Sequence, residues 1–148
     1  MRLVFLILTI LSLKAGAQAH EEAVKQPILA LFDGMRKSDT TLLRSAFAPT
    51  AILQTIGKNK EGKVVIRTDD VNKFVEMVGK PHEQVLDERI TFETIKIDGD
   101  LAVVWTPYQF YFGQTFSHCG VNSFQLVKLD GQWKIQYLID TRRKEGCK

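Results

Sequence analysis

Between residues 21 and 37, apolar side chains fall at Val24, Ile28, Leu31, Phe32 and Met35, the spacing of one buried helical stripe. Pro27 stands early in that helix, where a missing N–H costs least. Ser38 or Asp39 then offers a side-chain cap to a short second helix carrying Leu42, Leu43, Ala46 and Phe47, which Pro49 ends. Residues 51–56 and 64–66 read as short strands around a polar loop. Thr68 is placed to cap a third helix, with Asp69 and Asp70 at its positive end and Val71, Phe74, Val75 and Val78 facing inward. Gly79 and Pro81 stop it.

From about residue 84 the period changes to two. Asp98-Gly99 and Asp130-Gly131 each separate apolar-alternating runs, and Asp-Gly favours two-residue hairpins because both turn residues need positive φ. Gly113-Gln114 supplies a third turn. Four antiparallel strands follow, over 85–97, 100–112, 115–129 and 132–141. Counting from the turns pairs Leu126 with Ile135, Phe124 with Tyr137, Trp105 with Asn122, and Gln109 with His118. One face then carries Leu101, Val103, Trp105, Gln109, Tyr111, His118, Asn122, Phe124, Leu126, Ile135, Tyr137 and Ile139. The other carries Val104, Tyr108, Phe110, Phe112, Cys119, Val121, Val127, Leu138 and Asp140. A slip of one residue at either turn exchanges these sets. Ile90 and Phe92, then Ile95 and Ile97, change parity, which predicts a bulge near Glu93-Thr94 that bends the sheet.

Ahead of all this, Arg2, an apolar run over residues 3–13 and the triplet Ala17-Gln18-Ala19 have the order of a secretory signal peptide over residues 1–19. The run is well short of the roughly 20 residues needed to span a bilayer. The expectation is an exported protein, periplasmic or secreted, with no membrane association after cleavage and a single domain over 20–148. The whole chain has 148 residues and a formal charge of +3. Loss of Arg2 and Lys14 with the leader leaves 18 basic against 17 acidic residues, so attraction to nucleic acid loses its support. At 45% hydrophobic and 25% charged residues the composition is globular, not disordered. Two cysteines exclude a disulfide-dense scaffold and a four-cysteine zinc site. Outside the cytosol, Cys119 and Cys147 suit a disulfide, with free or intermolecular thiols as the alternative. The register sets Cys119 against Arg142, and Gly146 lets the tail turn back.

Three helices with two short strands among them, then a long curved meander, make an α+β arrangement. In that order they resemble the nuclear transport factor 2-like superfamily. The stretch Phe32-Asp33-Gly34-Met35-Arg36-Lys37-Ser38-Asp39 and the closing Asp130-Gly131-Gln132-Trp133-Lys134-Ile135 echo it locally. Phe116-Ser117-His118-Cys119-Gly120 and Asp140-Thr141-Arg142-Arg143 are similar to small exported bacterial members of the SnoaL-like and lumazine-binding types. The resemblance implies a strongly curved antiparallel sheet, four long strands plus short ones, wrapped around three N-terminal helices as a cone-shaped, cystatin-like roll. It also implies a pocket in the cone. With the register above, Trp105, Gln109, Tyr111, His118, Asn122 and Tyr137 line or approach the wide end, and Phe32 faces it from the first helix.

His118 is the best catalytic candidate, because imidazole titrates near neutrality. Tyr111 and Tyr137 are the candidate donors to an oxyanion. No acidic residue falls on the expected inner face of the long strands, unlike the isomerases that the resemblance brings in. Asp33 lies off the apolar stripe and Asp140 falls outside, where an ion pair with Arg142 is one use for it. His118 and Cys119 are not a nucleophile–base pair, since neighbouring strand residues point to opposite faces. His20, His82 and His118 show no metal-ligand spacing and no glycine-rich phosphate loop is present, so no metal or cofactor is expected. Val104, Tyr108, Phe110, Phe112, Val121 and Val127 make the expected outer face apolar enough for a homodimer through the sheet. Three readings follow. The first is a domain binding a small apolar or aromatic ligand. The second is an isomerase, cyclase or dehydratase using His118 as acid–base. The third is an interaction module with a filled cone.

Overall fold

The stripe on the first helix is the buried one. In α1 (Arg2–Lys37), Val24, Ile28, Leu31, Phe32 and Met35 are all under one tenth exposed. The computed structural model describes residues 2–147, and side chains over 18–147. The leader expected over residues 1–19 lies, through residue 17, outside the described side chains. The helix already runs through 18–20, so Pro27 is interior to it and buried, not in its first turns. α2 (Thr40–Ser45) is capped by Asp39, whose Oδ1 accepts from the Leu42 N–H at 2.9 Å. It stops before Ala46 and Phe47, which lead into a strand. α3 (Val71–Gly79) is capped by Asp70, not Thr68, because the strand before it runs on through Asp69.

Seven strands form one sheet: β1 (Phe47–Lys58), β2 (Val64–Asp69), β3 (Leu86–Ile90), β4 (Thr94–Asp98), β5 (Leu101–Phe112), β6 (Thr115–Leu129) and β7 (Gln132–Thr141). The order is β2-β1-β7-β6-β5-β3, with β4 also on β5. Every neighbour is antiparallel except β1 and β7, which run parallel. The strand expected over 85–97 is therefore two, interrupted at residues 91–93 where the parity changes. The core joins α1 to the inner face of the sheet, with Val104, Phe124, Leu126 and Ile135 at its centre. At the last hairpin, Asp130 and Gly131 both take positive φ, 49° and 79°, the conformation this turn demands.

Two bulges overturn part of the expected register. β5 and β6 pair as expected beside their turn, Phe112 with Thr115 and Tyr111 with Phe116. Ser117 is then extra on β6, so Phe110, not Gln109, faces His118, and Thr106, not Trp105, faces Asn122. On β7, Ile135 meets Leu126 as expected, but Gln136 is extra. Tyr137 therefore pairs with Gln125 and Asp140 with Asn122. The side chains on β5 and on β7 beyond residue 136 consequently exchange faces. Trp105, Gln109, Tyr111, Tyr137 and Ile139 lie on the outside of the sheet. Val104, Tyr108, Phe110, Leu138 and Asp140 lie inside. The apolar outer face is thus a different one: Val104, Tyr108 and Phe110 are core, while Leu101, Val103 and Trp105 are exposed.

Candidate functional site

The curved sheet closes over α1 and α3 and leaves a cavity of about 610 Å³. Its apolar wall comes from Leu31, Phe32 and Met35 of α1, Phe74 of α3, and Leu53, Leu86, Phe110 and Leu138 of the sheet. Met77 and Phe112, both roughly half exposed, stand at the rim. Volume and lining are those of a small-molecule site, mostly apolar with a few converging polar groups.

The polar groups in its wall come from β1, β2, β3, β6, β7 and the segment after β7, and Tyr108 of β5 stands behind them. Asn122 Nδ2 donates to Glu88 Oε1 at 2.7 Å. Burial pushes the Glu88 carboxyl up to about 7, the Asn122 bond pulls it down, and the charge of Asp140 pushes it up again. Glu88 thus both donates and accepts near neutral pH. Asp140 is buried, with Arg142 Nε donating to its Oδ2 at 3.0 Å. The Tyr108 hydroxyl donates to the Thr141 carbonyl at 2.8 Å and lies 3.2 Å from the same Asp140 oxygen. Burial, followed by the charges of Asp140 and Glu88, raises its pKa far above the usual phenol value, so it stays protonated. His118 lines the cavity between Phe110 and Tyr108, its ring centroid 5.0 and 5.7 Å from theirs, with Nδ1 3.0 Å from Ser117 Oγ. Burial, then the positive charge of Arg142, holds its pKa below the ordinary value, so the ring is neutral at pH 7.

Of the residues singled out in the sequence, His118, Asn122 and Phe32 meet in this cavity, and Trp105, Gln109, Tyr111 and Tyr137 do not. Trp105 is exposed on the outer face. The Tyr111 hydroxyl donates to Gln109 Oε1 at 2.7 Å, and its ring lies 4.1 Å from the Arg89 guanidinium. The Tyr137 hydroxyl donates to Gln54 Oε1 at 2.7 Å. Asp33 is taken up by ion pairs with Arg36 and Lys37. The expectation of an inner face without acids fails on Asp140 and Glu88. Glu88 carries a readable signal: it alternates with Leu86 and Ile90, which places a carboxylate between two inward apolar residues.

Cys119 and Cys147 are bonded, with an S–S distance of 2.07 Å and Cα atoms 5.8 Å apart. Cys119 pairs with Arg143, one residue beyond the position expected from the turns, through backbone hydrogen bonds of 2.9 Å in each direction. Disulfide and bridge together fold the tail back over β6, and Arg142, Arg143 and Lys144 join the cavity wall.

Residues 19–137 match the model of a family described as "Putative lumazine-binding". Among solved structures the chain is similar to a nuclear transport factor 2-like protein of unknown function from Shewanella baltica, with 17% identity and a TM-score of 0.67, over 86% of this chain and 96% of that one. It is also similar to a nuclear transport factor 2-like protein with a cystatin-like fold from Novosphingobium aromaticivorans, with 11% identity and a TM-score of 0.71, over 94% of this chain and 91% of that one. At these identities the likeness carries the fold alone. No curated protein matches the sequence.

Proposed function

The chain belongs to the family described as "Putative lumazine-binding", and from that membership and its cavity we propose that it binds a small apolar or aromatic molecule inside the cone. The observation that carries this is the cavity itself: about 610 Å³, apolar on most of its wall, with Glu88, Asn122 and His118 converging on it. Lumazine is a flat bicyclic heteroaromatic. Phe32 and Phe110 offer such a ring apolar surface, and the Glu88–Asn122 pair offers its polar edge a donor and an acceptor. The leader pattern and the Cys119–Cys147 disulfide support export as the setting. The exposed Leu101, Val103 and Trp105 support pairing with a second copy through the outer face of the sheet.

Native mass spectrometry of the protein taken from an exported fraction, followed by titration with lumazine, tests the binding. Retained non-protein mass or saturable lumazine binding is the expected result. An empty protein that takes up neither lumazine nor any aromatic probe overturns the proposal.

A second reading, an enzyme of the isomerase, cyclase or dehydratase type, is favoured by one observation. Glu88 keeps a carboxyl near neutral titration inside an apolar cavity, hydrogen-bonded to Asn122. The acid–base group is then Glu88, not His118. Turnover lost in Glu88→Gln and kept in His118→Ala is the pattern this reading requires. The open cavity favours these two readings over an interaction module with a filled cone.

A further inference from the structure

The cavity is apolar within and cationic at one end. Arg142 and Lys144 reach its wall from the segment after β7. That segment is held in place twice, by the backbone bridge between Arg143 and Cys119 and by the disulfide from Cys119 to Cys147. His118 shares that wall, and its pKa is lowered first by burial and then by the charge of Arg142, raised by Asp140 and lowered again by Lys144.

Of the carboxylates in that wall, Asp140 pairs with Arg142, and none pairs with Lys144 among the described residues. Asp69 lies 3.7 Å from Arg67. Glu88 takes the Asn122 amide and keeps its proton to about pH 7. Arg142 gives Nε to Asp140 and directs Nη2 at Thr55 Oγ1, 3.4 Å away, which leaves guanidinium N–H groups for a further acceptor. Lys144 has no ion-pair partner among the described residues. A lysine whose charge the fold does not pair, beside an arginine with N–H groups to spare, both anchored over an apolar cavity, is complementary to a ligand that is apolar at one end and anionic at the other.

Resting on the reading of the cavity as a ligand site, we propose that its ligand is an amphipathic anion. A compact apolar or aromatic body lies among Phe32, Leu86 and Phe110, and a carboxylate, sulfonate or phosphate head is held by Arg142 and Lys144.

Anilinonaphthalene sulfonate and phenylnaphthylamine share an aromatic skeleton and differ by the anionic group, so they separate the charge from the cavity. Titrated into the oxidised protein at low salt, the sulfonate binds about tenfold more tightly than the neutral amine. The advantage shrinks as salt is raised. Lys144 is exposed on the tail, so the fold does not depend on its side chain. Lys144→Gln weakens the sulfonate by about threefold to tenfold and leaves the amine unchanged, and Lys144→Glu weakens it further. Arg142 serves Asp140 as well, so its replacement is the less informative variant. Equal affinity for the two probes overturns the anion and leaves the cavity reading standing. So does a Lys144→Glu variant that binds the sulfonate as well as the parent does. Binding of neither probe overturns both.

Discussion

Asn122 on β6 donates its side-chain amide to Glu88 on β3 at 2.7 Å, reaching across β5, and partly offsets the burial that pushes this carboxyl up to about 7. The pair has a stability consequence whose sign is fixed. Glu88 titrates at about 7 in the folded chain, against 4.5 when exposed. Between those values the folded state binds more protons than the unfolded one, so stability falls as pH rises from about 4.5 to about 7 and is flat above. The shift corresponds to roughly 3 kcal/mol at most. His118 acts in the opposite sense, because its lowered pKa makes stability rise with pH below its ordinary value. Comparison with Glu88→Gln isolates the carboxyl. The variant keeps an acceptor for Asn122 and is expected to be more stable than the parent at pH 8 and close to it at pH 4.5. Urea unfolding at a series of pH values measures this. A parent and variant that differ by a constant amount at every pH would contradict the assignment.

Thr106 sits beside the same pair, opposite Asn122 in the ladder, fully buried, with no hydrogen-bond partner for its Oγ1 among the described residues. An unsatisfied buried hydroxyl costs free energy, and valine has nearly the same shape without it. Thr106→Val is expected to stabilise the protein by about 1 kcal/mol. Chemical denaturation reads the difference directly, and a destabilised variant would mean the hydroxyl has a partner in solution.

Why the sequence reveals part of this site and hides the rest can be seen in single strands. His118, Asn122, Phe124 and Leu126 keep one parity on β6, because the extra residues are Ser117 before them and Gln136 on the partner strand β7, so alternation places all four inside. β5 is apolar on both parities, from Leu101 through Phe112, so nothing in its pattern exposes the shift that Ser117 introduces. β7 hides its bulge in the same way. Tyr137 and Ile139 are as apolar as Leu138, so the extra Gln136 leaves no trace in the alternation. That one residue turns Tyr137 out of the pocket and Asp140 into it. The helical stripe of α1 survives because it depends only on local period, not on counting across a turn.

The disulfide closes a segment of 28 residues that contains the last hairpin and the cationic tail. In the chain-entropy model a bridge of that span contributes about 3–4 kcal/mol. Replacing both Cys119 and Cys147 by alanine is expected to lower Tm by about 10 °C. The same change frees the segment carrying Arg142 and Lys144, so anilinonaphthalene sulfonate binds more weakly to the variant well below its Tm. Calorimetry and probe titration check the two effects separately. A lowered Tm with unchanged affinity for the sulfonate would assign the disulfide to stability alone.

Gly120 makes the closest backbone approach in the site. A Cβ built there would stand 1.8 Å from the Thr141 carbonyl oxygen and 2.7 Å from Tyr108 Cε1. Neither neighbour can yield cheaply. Thr141 is the last residue of β7, fixed on one side by Asp140, which pairs with Asn122, and on the other by the bridge from Arg143 to Cys119. Its carbonyl also accepts the Tyr108 hydroxyl at 2.8 Å, so pushing it away breaks that bond and moves the ring over His118. Gly120→Ala is therefore expected to cost about 3 kcal/mol, well above what loss of glycine flexibility in the unfolded chain would return. Because the strain falls between the Glu88–Asp140 cluster and the tail, the variant is also expected to lose the neutral pH dependence assigned to Glu88. Urea titrations of the variant at pH 5 and pH 8 measure both. A variant as stable as the parent would show that β6 and the end of β7 lie farther apart than the contact requires.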